Sequence, residues 1–221
     1  MPASLPPLSL LEIRVLGVLS EKQRTVPDTY PLTLNALVAG CNQKTSRDPV
    51  IDATEADVQA ALDELRSHSL IIESSGGRVP RYAHNIERVL LIPTQSTAIL
   101  TALMLRGPQT AGELRINCDR LHRFADISAV EAFLNELAER SAGALVQELP
   151  RQPGARENRW IHLLSGAPSA EMLHVVSSSQ PAGGAEEKLS GRVEQLENEV
   201  AQLKKALAHL CSELGVSQVI D

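Results

Sequence analysis

Residues Leu70–His84 read LIIESSGGRVPRYAH. The first five are short, apolar and β-branched, Gly76–Gly77 supplies a turn, and Arg78–His84 returns, which predicts a β-hairpin with a basic tip. The residues before it follow a helical period. A Ser or Thr followed three residues later by an acid marks a helix start, because the pair satisfies amide groups the first turn leaves open. Ser9/Glu12 and Thr54/Asp57 have this form. Ile13, Leu16 and Leu19 follow the first, and Val58, Leu62 and Leu65 the second. Between them a helix with Pro31 in its first turn carries Leu34, Leu37, Val38 and Cys41. Three helices followed by a hairpin predict a winged-helix unit.

The next stretch repeats the plan. Thr110/Glu113 and Ser128/Glu131 are further start signals, and helices are expected near 97–106, 110–121 and 128–140. A strand at Ala144–Leu149, a wing at Pro150–Asn158 and a return strand at Arg159–Leu164 follow. VQAALDEL (Val58–Leu65) answers VEAFLNEL (Val130–Leu137), and RYAH (Arg81–His84) answers RWIH (Arg159–His162). The offsets are 72 and 78, so the second hairpin is longer by six residues. A repeat in register with both hairpins predicts two winged-helix domains in tandem.

From Ser165 to Glu187 the composition turns to Ser, Ala, Gly and Pro, as expected of a flexible linker. Beyond it Leu189, Val193, Leu196, Val200, Leu203, Leu207, Leu210 and Leu214 are spaced alternately by four and three, which is a heptad seam. Leucine at every d position with valine at two a positions favours a parallel homodimer. Arg192 faces Glu197 and Glu199 faces Lys204 in that register, each pair opposite in sign. The expected fold class is α+β, mainly α. Its parts are winged helices over 1–90 and 91–165, a linker over 166–187 and a coiled coil over 188–215.

The net charge of −6 argues against a protein that coats nucleic acid through bulk positive potential. The three cysteines, Cys41, Cys118 and Cys211, are far apart and form no CxxC pair, so they read as reduced thiols and not as disulfides or zinc ligands. The start MPASLPPLSL has no basic stretch and makes a poor signal peptide. The apolar run Ala98–Leu105 is far short of the roughly 20 residues needed to cross a bilayer. A cytoplasmic protein without a membrane role is expected.

Leu10–Val50, with RVPRYAHN (78–85), RGPQTAGELR (106–115) and LPRQPGARENRW (149–160), resembles the YceH-like family of bacterial proteins. The resemblance covers Leu10 to Leu164 and implies two winged-helix domains in a bacterial cytoplasmic protein. It brings no catalytic residues. The chain departs from the family at Asn158 and Trp160, where a small residue and a tyrosine are expected.

Function centres on CNQKTSRDPV (Cys41–Val50), between the second and third helices. In one interpretation Asn42, Thr45, Ser46 and Asp48 close a long turn through side-chain to backbone bonds. In the other, Lys44 and Arg47, with Arg78 and Arg81 of the adjacent wing, contact phosphates or an acidic partner. Arg151, Arg156 and Arg159 of the second wing are secondary candidates; Arg115, Arg120, His122 and Arg123 form a further basic group. The third helix of each half is acidic, through Glu55, Asp57, Asp63 and Glu64 in one and Glu131, Glu136 and Glu139 in the other. That disfavours insertion into a DNA groove. Asp119, His122 and Asp126 share a helical spacing, but Asp126 belongs to the following turn, and no metal or cofactor is expected. His84 and His162 read as hydrogen-bonded wing residues, Tyr82 and Trp160 as wing-to-core packing. No nucleophile elbow, phosphate loop or zinc pairing is present. The expectation is a non-enzymatic, homodimeric DNA-binding or transcription-regulatory factor, with a scaffold that binds a protein partner as the alternative.

Overall fold

The computed structural model describes residues 5–77, 79–152 and 154–168. Arg78, the linker beyond residue 168 and the heptad seam from Leu189 to Leu214 lie outside the described residues. The described fold is α+β and mainly helical, with seven α-helices and two small antiparallel sheets.

Helix α1 (Leu10–Thr25) begins at Ser9, whose hydroxyl accepts from the Glu12 N–H while the Glu12 carboxylate accepts from the Ser9 N–H. Helix α2 spans Leu34–Cys41 and its N-cap is Thr33, so Pro31 stands outside it. The reason is tertiary. Leu32 exchanges both backbone hydrogen bonds with Tyr82, at 3.0 and 2.8 Å, and this holds the chain extended until Thr33. Helix α3 (Glu55–Ser67) starts with a reciprocal cap between Thr54 and Asp57. Strands β1 (Ile71–Ser74) and β2 (Arg81–His84) then pair antiparallel, with Ile71 opposite His84.

A short helix, α4 (Ile86–Leu90), absent from the sequence expectation, leads into the second half. There α5 (Thr94–Arg106), α6 (Ala111–Asn117) and α7 (Ile127–Ala138) precede a hairpin of β3 (Val146–Glu148) and β4 (Trp160–His162). Thr110 and Glu113 form the expected box. Ser128 and Glu131 do not. Asp126 lies in extended backbone and its carboxylate accepts from the Ala129 N–H, so it caps α7 and Ser128 falls inside the first turn. Helix α6 stops at Asn117 instead of reaching Leu121. Gln109 exchanges backbone bonds with Trp160 as Leu32 does with Tyr82.

Helices α1 and α5 pack against each other between the halves. In α1 the eight residues Ile13–Ser20 are all buried, and in α5 the ten residues Ser96–Leu105. A helix buried on every side is a core element and not an amphipathic one. Their approach is close at Gly17, where a Cβ would stand 2.9 Å from Leu105 Cδ2 and 3.3 Å from Met104 Cβ. One turn on, the Ser20 and Thr101 hydroxyls are 2.6 Å apart, so these buried polar groups satisfy one another. A continuous, mainly aliphatic core runs from Leu8 through both halves to Leu164 and includes Tyr82, Phe124 and Trp160.

Candidate functional site

Within the segment Cys41–Val50, Arg47 is buried and Asn42 and Gln43 are half-buried, while Lys44, Thr45, Ser46 and Asp48 are exposed. Asn42 clamps the start of α3, donating from Nδ2 to Ala53 O at 2.9 Å and accepting from Ala53 N–H at 2.8 Å. Ser46 has a left-handed backbone (φ 58°), and its hydroxyl accepts from Arg106 at 2.7 Å. The Asp48 N–H donates to Leu105 O at 2.8 Å. The turn thus ties the first half to the end of α5. Arg14 of α1, itself only 1% exposed, donates to Cys41 O and Pro49 O from beneath.

Arg47, expected as a partner contact, is enclosed within the protein. Its side chain has no exposure, and every guanidinium nitrogen has a partner. Nε donates to Gly40 O, Nη1 to Glu21 Oε1 and Ser46 O, and Nη2 to Glu21 Oε2 (2.7 Å) and Gln43 Oε1 (2.6 Å). A bidentate carboxylate fork with satisfied remaining donors is the arrangement that makes a buried guanidinium tolerable. Burial pushes the Glu21 carboxyl up, but Arg47, by hydrogen bond and charge, and Lys22 outweigh it and hold Glu21 below its usual range. Burial, then the neighbouring Arg47, lowers Arg14. Lys44 is exposed.

The hairpin arginines divide into two kinds. Arg81 Nη1 donates to Pro31 O (2.7 Å) and Thr29 O, and Arg159 Nη1 to Pro108 O (2.6 Å), with Nη2 on Glu113. Each fastens β2 or β4 to the loop before the second helix of its half. Arg151 and Arg156 are exposed and line a cleft of about 480 Å³ with Glu131, Glu148, Glu157, Asn158 and Trp160. On α3, Glu55, Asp57, Asp63 and Glu64 are exposed, and Arg66 is paired to Asp63 and Glu73. On α7, Glu131 and Glu136 are exposed, as is Glu139 at its C-cap.

His84 and His162 occupy matching strand positions, and burial pushes both rings down to about 4, with Arg24 adding to the effect at His84. The His84 Nε2 pairs with Gln23 Oε1 at 2.6 Å. Burial pushes the Cys41 thiol up to about 11 and Cys118 to about 12, against reactivity. Among the described residues no group of three or more His, Cys, Asp or Glu is placed to hold a metal ion. No described helix is long and apolar enough to cross a membrane.

Sequence inspection missed Arg14 and Glu21, which look like solvated charges on α1. It also missed the signal that relates α2 to α6. Pro31, Thr33, Leu37 and Cys41 recur as Pro108, Thr110, Leu114 and Cys118 at the same spacing. Both leucines and both cysteines have no exposure.

Fold and site together define a mainly helical α+β protein of two related halves, fastened to each other through α1, α5 and the turn after α2. The chain belongs to the DUF480 family, described as a protein of unknown function, whose match runs over residues 8–155. It is 67% identical over 171 residues to a UPF0502 protein of Dechloromonas aromatica, covering 77% of this chain and 80% of the relative. It is 58% identical over 217 residues to a UPF0502 protein of Acidovorax, covering 96% of each. These bacterial relatives agree with the YceH-like resemblance.

Proposed function

We propose that this chain is a non-enzymatic cytoplasmic protein of two tandem winged-helix domains that acts as a scaffold for a protein partner. The order of three helices and a hairpin in each half supports the winged-helix assignment, as does the extra bridge from Leu32 or Gln109 to the returning strand. In that architecture α3 and α7 hold the position of a recognition helix. The observation that carries the proposal is the acidity of their outward faces, with Glu55, Asp57, Asp63 and Glu64 on α3 alone. A helix in the major groove lies among phosphates, and these carboxylates oppose that placement. Burial of Arg47 also removes one of the cations a phosphate contact would use. The heptad seam supports a homodimer, which would present two copies of the binding surface.

A nucleic-acid role is favoured by one observation, the exposure of Lys44, Arg151 and Arg156. The two roles separate in one pair of measurements. A photo-crosslinking residue replacing Asp63 or Asn135 in cells should yield protein adducts. The purified full chain should show no duplex binding at about 50 mM salt. Binding that falls with salt at a log–log slope near −0.9 per contact, and is lost in a Lys44→Ala/Arg151→Ala/Arg156→Ala variant, would overturn the scaffold proposal.

A further inference from the structure

We infer that residues 171–176 of this chain dock into a cleft between its own two halves. The Glu171 carboxylate would meet Arg140 there, and the large apolar side chains after it would cover Val89 and Leu91. The inference goes beyond the scaffold reading and does not depend on it.

The cleft has a volume of about 500 Å³. It is lined by Val89 and Leu91 at the end of α4, by Pro7 of the N-terminal segment, and by Leu163 and Gly166 after β4. Among the described residues that line it, Arg140 is the single arginine or lysine, and there is no carboxylate. Arg140 stands shortly after α7, is half-buried, and donates to Leu90 O in the loop between the halves. Among the described residues no carboxylate pairs with it. A half-buried guanidinium in this setting selects a carboxylate, because a charge-assisted hydrogen bond is the strongest it can gain. Leu91 marks the apolar part. It is 77% exposed, and its backbone is left-handed (φ 53°). That conformation suits glycine and strains a leucine, so an idle side chain gives no reason for leucine here. A segment lying over it supplies the reason, as apolar area to bury.

The chain itself delivers such a segment. The Leu8 N–H donates to Leu164 O at 2.8 Å and the Gly166 N–H to Leu163 O at 3.0 Å, which brings the end of the second hairpin out at the cleft. The described residues end two positions later, at Pro168. Five residues, from Gly166 to Glu171, reach up to about 17 Å, roughly twice the edge of a cube of the cleft's volume. Residues 166–187 are chiefly Ser, Ala, Gly and Pro, yet Met172, Leu173, Val175 and Val176 fall within five positions directly after Glu171. A plain tether needs neither the acid nor the apolar cluster. Residues 1–4 (MPAS), at the other end of the chain, contain no acid to meet Arg140. Docking would leave 177–187 as the tether to the heptad seam.

Two measurements on the full chain test the site. Amides of 171–176 should exchange with solvent at least about tenfold more slowly than their intrinsic rates, and those of 177–187 at those rates. The labelled methyl of Met172, one of three methionines, should show cross-relaxation to the methyls of Val89 or Leu91. Glu171→Arg, which alters no described residue, should remove both signals, as should Met172→Ser with Leu173→Ser. Arg140→Glu combined with Glu171→Arg should restore them. Leu203→Asp with Leu207→Asp should leave them in place, because each copy fills its own cleft. Intrinsic exchange at 171–176, or no transfer from Met172 to either side chain, overturns the assignment. Signals indifferent to Glu171→Arg overturn the pairing with Arg140 on which it rests. Signals lost in the Leu203→Asp/Leu207→Asp variant would place the segment in another copy's cleft and overturn it too.

Discussion

Arg47 and Glu21 lie 26 residues apart and meet as a bidentate pair, Nη2 to Oε2 at 2.7 Å and Nη1 to Oε1 at 3.2 Å. The arginine side chain is wholly removed from solvent. Removing one member of such a pair strands the other charge, which typically costs ~3–5 kcal/mol. Arg47→Ala is therefore expected to lower the unfolding free energy from urea titration by that order, whereas Lys44→Ala should stay within about 0.5 kcal/mol. Equal, small effects would show that the turn is not held by this pair. A double-mutant cycle with Glu21→Gln should give strong coupling.

The matched histidines make stability depend on pH. Both folded rings sit near 4, below the ordinary 6.5. Between those values the unfolded chain binds protons that the folded chain refuses, so stability is full above about 6.5 and falls as pH drops towards 4. Each ring contributes on the order of 2–3 kcal/mol across that window. Glu21, held below its usual range, adds a loss at still lower pH. Urea midpoints at about pH 7, 5.5 and 4.5 should decline, and His84→Gln with His162→Gln should flatten the slope. A midpoint indifferent to pH would contradict this.

Gly17 sets the approach of α1 to α5. Gly17→Val would force its branched side chain into Leu105 and Met104, and overpacking of this kind costs about 1–3 kcal/mol. Because Ser20 and Thr101 meet one turn away, amide exchange should accelerate in both helices together. Exchange confined to α1 would mean that the halves open independently.

The heptad seam predicts the assembly. If the heptad spacing forms the proposed dimer, Leu203→Asp with Leu207→Asp would place charges in its seam, and sedimentation should give a dimer for the unaltered chain and the 23.9 kDa monomer for the variant. A monomeric unaltered chain, or an unchanged mass in the variant, would reject the proposed seam.

The sequence by itself determined six of the seven described helices, three of the four expected capping boxes and both hairpins. These depend on residues three or four apart, and the Ser9/Glu12, Thr54/Asp57 and Thr110/Glu113 boxes form as their spacing predicts. Where a local signal failed, a competing local one stood close by, as Asp126 displaces Ser128 at the start of α7. The duplication was legible too, and more fully than first apparent, since the Pro–Thr–Leu–Cys spacing repeats from α2 to α6. Only the tertiary structure decided which charged residues face water. Arg47 in CNQKTSRDPV reads like Lys44, yet one is enclosed and the other exposed, because a carboxylate from α1 reaches only Arg47. The all-round burial of α1 and α5 likewise follows from each half covering the other's helix. Burial is a property of which elements meet, and neither helix carries that information within its own residues.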